Sequence, residues 1–319
     1  MLAQIGRLID MVRLRQNGLL LLSVCLIASS YIFTQLSLNN LSPITIAALR
    51  VTIVTPIFGL LMLIRKTRGP QLRLSGLLLF SVTLVIIPQI LIAIGVSRIN
   101  AVSSSFIEAS EPLLTVVLGA IILRERFKVQ HAVGLILAII GTVVIATKGF
   151  TIGLGQSSLI GVLAVAGSAS SLAISNIVGK RLLDDIAPDR LLTTSMAVGA
   201  LCLLPIAITL HPMQIILAFT SPHVLFALLG LSLLATGGGY TLYFYALKTL
   251  SASRVSSFLY AIPVFTAVEA LFLLGDAIPV SVIWGGLLIM SGVLMMQIRL
   301  LNHSKEVEAN ETHTLTGEE

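Results

Sequence analysis

The chain has 319 residues, of which 56% are hydrophobic and 11% charged. Soluble domains carry roughly 25% charged residues, and the mean hydropathy here is +1.02, so a soluble fold is excluded and the chain is an integral membrane protein. The net charge of +6 does not signal nucleic-acid binding: the basic residues sit in the gaps between apolar runs, which is the pattern of membrane topology.

The opening, MLAQIGRLIDMVRLRQ, places Leu2, Ile5, Ile9 and Val12 on one helical face. This predicts a cytoplasmic or interfacial segment over 1–17. The apolar run from Gly18 is too long for a signal-peptide core and has no small-residue cleavage site, so it is expected to stay as the first span. A helix needs about 20 apolar residues to cross a bilayer core. Ten stretches qualify: 18–38, 43–64, 74–96, 101–123, 129–147, 158–179, 191–210, 223–247, 252–274 and 280–299. Turn-forming and charged residues separate them, among them LSP at 41–43, RERFK at 124–128 and GDAIP at 275–279. Between spans seven and eight, 211–222 leaves room for a short amphipathic element. The polar, acidic end, 301–319, is expected to be a disordered cytoplasmic tail. Cys25 and Cys202 lie inside apolar runs, so neither a disulfide nor a zinc site is expected.

Seventeen of the 20 Lys and Arg fall in alternate gaps and the termini, starting with Arg7, Arg13 and Arg15 and including Arg65, Arg124, Lys180 and Lys248. The other gaps hold Arg98 and Lys148, and Arg50 lies inside a span. The bias puts both termini in the cytoplasm.

The stretch 101–141 aligns without a gap on 252–292, an offset of 151. Shared residues include Ala101/Ala252, Pro112/Pro263, Gly134/Gly285 and Gly141/Gly292, with Glu125 meeting Asp276 at the turn. The chain thus reads as two copies of five spans, 18–147 and 158–300. Five is odd, so the second copy enters the membrane from the opposite side. The charges agree: gap 124–128 is basic and its counterpart 275–279 carries no basic residue. The predicted fold is all-α, ten transmembrane helices as two inverted five-helix repeats around a central cavity. That arrangement is the mark of alternating-access transporters.

The pieces EPLLTVVLGAIILRERFKVQHAVGLILAIIG and IPVFTAVEALFLLGDAIPVSVIWGGLLIMSG, with LSPITIAALR opening span two, resemble the EamA-type branch of the drug/metabolite transporter superfamily. The resemblance covers about 18–300 and implies export of amino acids, their derivatives or amphiphilic compounds. Two positions depart from many relatives: Ile27-Ala28 replace a Trp-Gly pair, and Gln35 replaces a Lys.

Glu111 is the first candidate for cavity chemistry. Ten residues into span four put it about 15 Å deep, near the middle of a core about 30 Å thick. Ser104, Glu108, Glu111 and Thr115 follow helical spacing and are expected to share one face lining water. Pro112 is expected to kink that helix. A protonated packing role is the alternative for Glu111. Arg50 lies about 10 Å from the outer face and is expected to pair with Glu108 or Glu269 as an outer gate, with a static ion pair as the alternative. In the second half Tyr240, Tyr243 and Tyr260 are cavity candidates, Tyr240 being the repeat counterpart of Gln89. Span six adds Ser168, Ser171, Ser175 and Asn176. Packing is the competing role for each tyrosine and serine.

No GxxxxGK[ST] loop, HExxH or GxSxG is present, and no intramembrane His stands ready to pair with a Ser. An enzyme is therefore not expected, nor a cofactor or metal. The reading is a secondary transporter of a small organic metabolite, with proton coupling through Glu111 as a hypothesis, in a bacterial cytoplasmic membrane. Its partners are the solute and the bilayer, with no nucleic acid, and a homodimer is compatible with it. The alternatives are an uptake permease, a non-transporting sensor or a flippase subunit.

Overall fold

The computed structural model describes residues 2–65, 74–115, 118, 129–146, 156–249, 255, 258–275 and 278–292. The basic clamp Arg124, Arg126 and Lys128, the turn residues Glu125 and Asp276, and the tail 301–319 lie outside the described residues. In chain order the helices are α1 (Leu2–Leu38), α2 (Pro43–Ile64), α3 (Leu74–Ile99), α4 (Ala101–Glu108) and α5 (Val129–Ala146). The second half has α6 (Gln156–Asp185), α7 (Pro188–Leu210), α8 (Pro212–Thr220), α9 (Pro222–Thr249), α10 (Ile262–Leu273) and α11 (Val280–Gly292). Among the described residues, six helices are long and apolar enough to span a membrane, in α1, α2, α3, α6, α7 and α9. Their outward side chains are apolar, Leu63, Leu201 and Phe226 among them, which suits contact with lipid tails.

Four helices begin on a proline, Pro43, Pro188, Pro212 and Pro222. At that position the missing N–H has no intrahelical partner to lose. The short α8 fills the expected amphipathic stretch, and its Gln214 side chain accepts from the Ser42 backbone N–H (2.8 Å) and the Thr45 hydroxyl (2.9 Å) at the start of α2.

The segment 1–17 continues into the first span, since α1 runs unbroken from Leu2 to Leu38. One expectation needs correction. Span four is not one helix. It stops at Glu108, turns through Ala109 and Ser110, and resumes over 111–115. Pro112 explains the break: its ring collides with the carbonyl four residues back, on Glu108, and it offers no N–H to bond there. The second copy breaks at the equivalent place. Tyr260 and Ala261 turn ahead of Ile262 and Pro263, and both turns tighten to a three-residue bond, Ser110 N–H to Ile107 O and Ala261 N–H to Phe258 O.

The duplication is also visible in the packing. α3 packs on α6 as α1 packs on α9; α4 packs on α6 as α1 packs on α10. α2 meets its counterpart α7, and α4 meets α10. Each pairing maps onto itself or onto another when the copies are exchanged. Both third helices of the copies carry a π segment, Val82–Ile86 in α3 and Gly230–Gly239 in α9. On α5 and α11, Gly141 and Gly285 face each other so closely that a Cβ on either would strike the other's carbonyl oxygen. Small residues permit such close crossings in a membrane.

Candidate functional site

The two broken helices converge on a cavity of about 80 Å³ between the halves. A buried water needs ~10–15 Å³ by this measure, so the space suits several waters or a small solute. Its wall includes Glu108, Ala109, Glu111 and Pro112 beside the first break, and Leu259 and Ile262 beside the second. Leu259 and Ile262 are the repeat counterparts of Glu108 and Glu111. The cavity therefore sits where the two copies meet, with its carboxylates on one side only.

Several polar groups in this wall are held by particular neighbours. Glu108 accepts from the Tyr31 hydroxyl of α1 and from the Ser168 hydroxyl of α6 (2.5 Å). Glu111 accepts from Asn176 Nδ2 at 2.6 Å. Arg50 is 4% exposed. Its Nε donates to Thr236 Oγ1 at 2.5 Å, and its guanidinium carbon lies 6.0 Å from the Tyr240 ring centre. Thr236 in turn donates to Leu231 O, five residues back in the π segment of α9. Gln89 Nε2 donates to the Tyr240 hydroxyl at 3.3 Å, so the counterparts named from the sequence touch across the interface of the copies. Tyr243 lines the same cavity and stacks edge-on against Phe244.

Other predicted residues lie elsewhere. Ser104 is fully buried and donates back to Asn100 O (2.7 Å). The break after Glu108 leaves Ser104 and Glu108 on α4 and puts Glu111 and Thr115 on the helical turn that follows. Ser171 donates to Thr83 O (2.9 Å), a carbonyl in the π segment of α3, where the regular bonding ladder is interrupted. Ser175 donates within its own helix to Leu172 O. Tyr260 sits in the second break, 7% exposed and outside the cavity wall. Arg50 and Glu269 do not form an ion pair in this structure. Arg50 turns inward to Thr236 and Tyr240, and Glu269 sits at the seam of α1 and α10, where Cys25 Sγ approaches its Oε1 at 3.7 Å.

Arg65 forms an ion pair with Asp189 (3.3 Å). It lies at the end that the charge bias assigns to the cytoplasm. Tyr245 donates to Asp189 Oδ2 (2.5 Å) and bonds Arg65, whose guanidinium also lies over the Tyr245 ring. α2, α7 and α9 are tied together there. No group of three or more His, Cys, Asp and Glu comes together among the described residues.

The sequence profile of the EamA-like transporter family matches residues 16–147 and again 159–298. The chain belongs to the EamA-like transporter family. The two matches coincide with the two copies seen in the packing. An uncharacterized transporter of Archaeoglobus fulgidus is 28% identical over 262 residues, 82% of this chain and 90% of its own length. The uncharacterized transporter YoaV of Bacillus subtilis is 24% identical, covering 86% of this chain and 94% of its own. A probable terminal-alkyne amino-acid exporter of Streptantibioticus cattleyicolor is 27% identical, covering 84% and 86%. A solved crystal structure at 17% identity matches with a TM-score of 0.62 over 89% of this chain and 96% of its own, which shows the fold.

In this EamA-like chain the structure brings Arg50, Gln89, Glu108, Glu111, Tyr240 and Tyr243 to one cavity. Sequence reasoning missed Tyr31, Ser30, Ser105 and Thr236. Tyr31 carried a weak signal, as the one tyrosine of a first span that also holds Ser23, Ser29, Ser30, Thr34, Gln35 and Ser37.

Proposed function

We propose that this membrane protein is a secondary transporter that exports a small organic metabolite, an amino acid, its derivative or a related amphiphile, by alternating access. One observation carries the reading: a polar cavity with two carboxylates and a guanidinium sits between two broken helices, one from each copy. Buried charge in a membrane is costly and marks a solute or ion path. Broken helices at the interface of inverted repeats are where such proteins bind their cargo. The likeness to a probable terminal-alkyne amino-acid exporter supports the solute class and the outward direction. The Arg65–Asp189–Tyr245 cluster supplies bonds that have to open when the cytoplasmic end parts. Titratable carboxylates in the cavity support proton coupling, with Glu111 as the proton-carrying group.

The test is flux. Purified protein in liposomes is expected to move at least one labelled compound from a panel of amino acids and amphiphilic derivatives, faster with an imposed proton gradient. No flux across a broad metabolite panel rules out transport of small solutes and favours a sensor or scaffold.

A further inference from the structure

Two acceptors in the cavity wall, on Gln89 and Glu111, have no donor among the described residues. Gln89 is 3% exposed and its Oε1 has no hydrogen-bond partner, because its Nε2 is turned to Tyr240. Glu111 receives one bond, from Asn176 to Oε1, and its second oxygen has no donor among the described residues. Glu108 differs: Tyr31 serves one of its oxygens and Ser168 the other.

Charge points the same way. Arg50 is the cation among the lining residues, against two carboxylates. Glu108 is the carboxylate that acts on Arg50 electrostatically. No cation stands with Glu111, whose partner Asn176 is neutral. An ionised Glu111 thus lacks one positive charge and one donor, and Gln89 lacks another donor. An ammonium group supplies one positive charge and three donors. Ile27, Leu84, Ile92, Leu172, Leu259 and Ile262 make an aliphatic stretch of the remaining wall, which also holds Ser30, Ser105 and Tyr243.

The geometry points to Glu111 and Gln89 as the residues that select the solute, by receiving a protonated primary amine whose short apolar body lies against the aliphatic wall. This rests on the cavity being the transport site. It adds a rule: the amine is required and a carboxylate is not. Anionic solutes are rejected because they place a second negative charge beside Glu111.

Three probes that share an isobutyl group decide it: leucine, isopentylamine, which lacks the carboxylate, and 4-methylpentanoate, which lacks the amine. Binding to the purified full chain is read by calorimetry and by thermal stabilisation. Leucine and isopentylamine are expected to bind, and 4-methylpentanoate to bind at least tenfold more weakly. Hydrogen bonds to charged groups are worth roughly ten- to a hundredfold in an equilibrium constant, so Glu111→Gln is expected to weaken isopentylamine by about that factor. Gln89→Met, which keeps the volume and removes the acceptor, is expected to weaken it severalfold, and serves if the first variant does not fold. The inference is overturned if 4-methylpentanoate binds as tightly as the amines, if none of the three binds, or if the folded variants keep wild-type affinity. Amine binding without flux in liposomes leaves the selection rule standing and removes the transport reading. Flux of anions alone does the reverse.

Discussion

Glu108 and Glu111 carry the same side chain in different surroundings. Glu108 is clasped by Tyr31 and Ser168, whereas Glu111 has one amide partner and an open oxygen. Tyr31→Phe removes a donor from a buried carboxylate without changing the volume much. It is expected to lower stability by about 1–3 kcal/mol, seen as a reduced melting temperature in detergent. An unchanged melting temperature would mean that Tyr31 does not hold Glu108. Residues such as Glu108, Glu111 and Arg50 were legible in the sequence because a charge inside an apolar run has few explanations. Tyr31 left only a weak trace, as the first span's one tyrosine, since a tyrosine there is equally at home as packing. Ser171 and Ser175 were read as cavity serines. Their hydroxyls instead close nearby backbone carbonyls, a choice that depends on helix rotation and a π segment. Arg50 and Glu269 stand apart in this structure: depth along a helix can be counted from the sequence, but the direction a side chain faces cannot.

At the scale of elements, prolines decide where the cavity forms. Pro112 and Pro263 each end a helix just before the cavity wall and restart it just after. The proline frame was visible as a repeat, and a kink was expected. The break itself was not, because a proline in a membrane helix can give either. The glycine frame has a plainer role. Gly141 and Gly285 let α5 and α11 cross in near contact. Gly285→Val places a branched side chain against the Gly141 carbonyl and is expected to cost about 1–3 kcal/mol by overpacking. Gly275→Val has open space around it but a positive φ of 68°, so its cost is backbone strain alone. Thermal melts of Gly285→Val should fall while those of Gly59→Ala, at an open site, should not. Equal melts for the two would remove the close crossing.

The whole molecule is two copies of one unit. Their relation was legible because an odd number of spans, a charge bias and an ungapped alignment all demanded inversion, and the exchange-symmetric packing agrees. Inversion makes a topological prediction. Arg98 and Lys248 occupy equivalent gaps of the two copies. In a background lacking Cys25 and Cys202, a cysteine at 98 should react with an impermeant thiol reagent from outside and one at 248 only from inside. Labelling of both from the same side would contradict inverted copies. The asymmetry matters as much as the symmetry: carboxylates face aliphatic counterparts across the cavity, so the chemistry was added to a symmetric frame. The central claim is that solute crosses through that cavity by way of Glu111. Solute flux into proteoliposomes, wild type beside Glu111→Gln, tests it most directly. The account predicts that the wild type moves a labelled amine-bearing solute and that the folded variant falls to the protein-free background. Wild-type flux in the variant at every pH would contradict it.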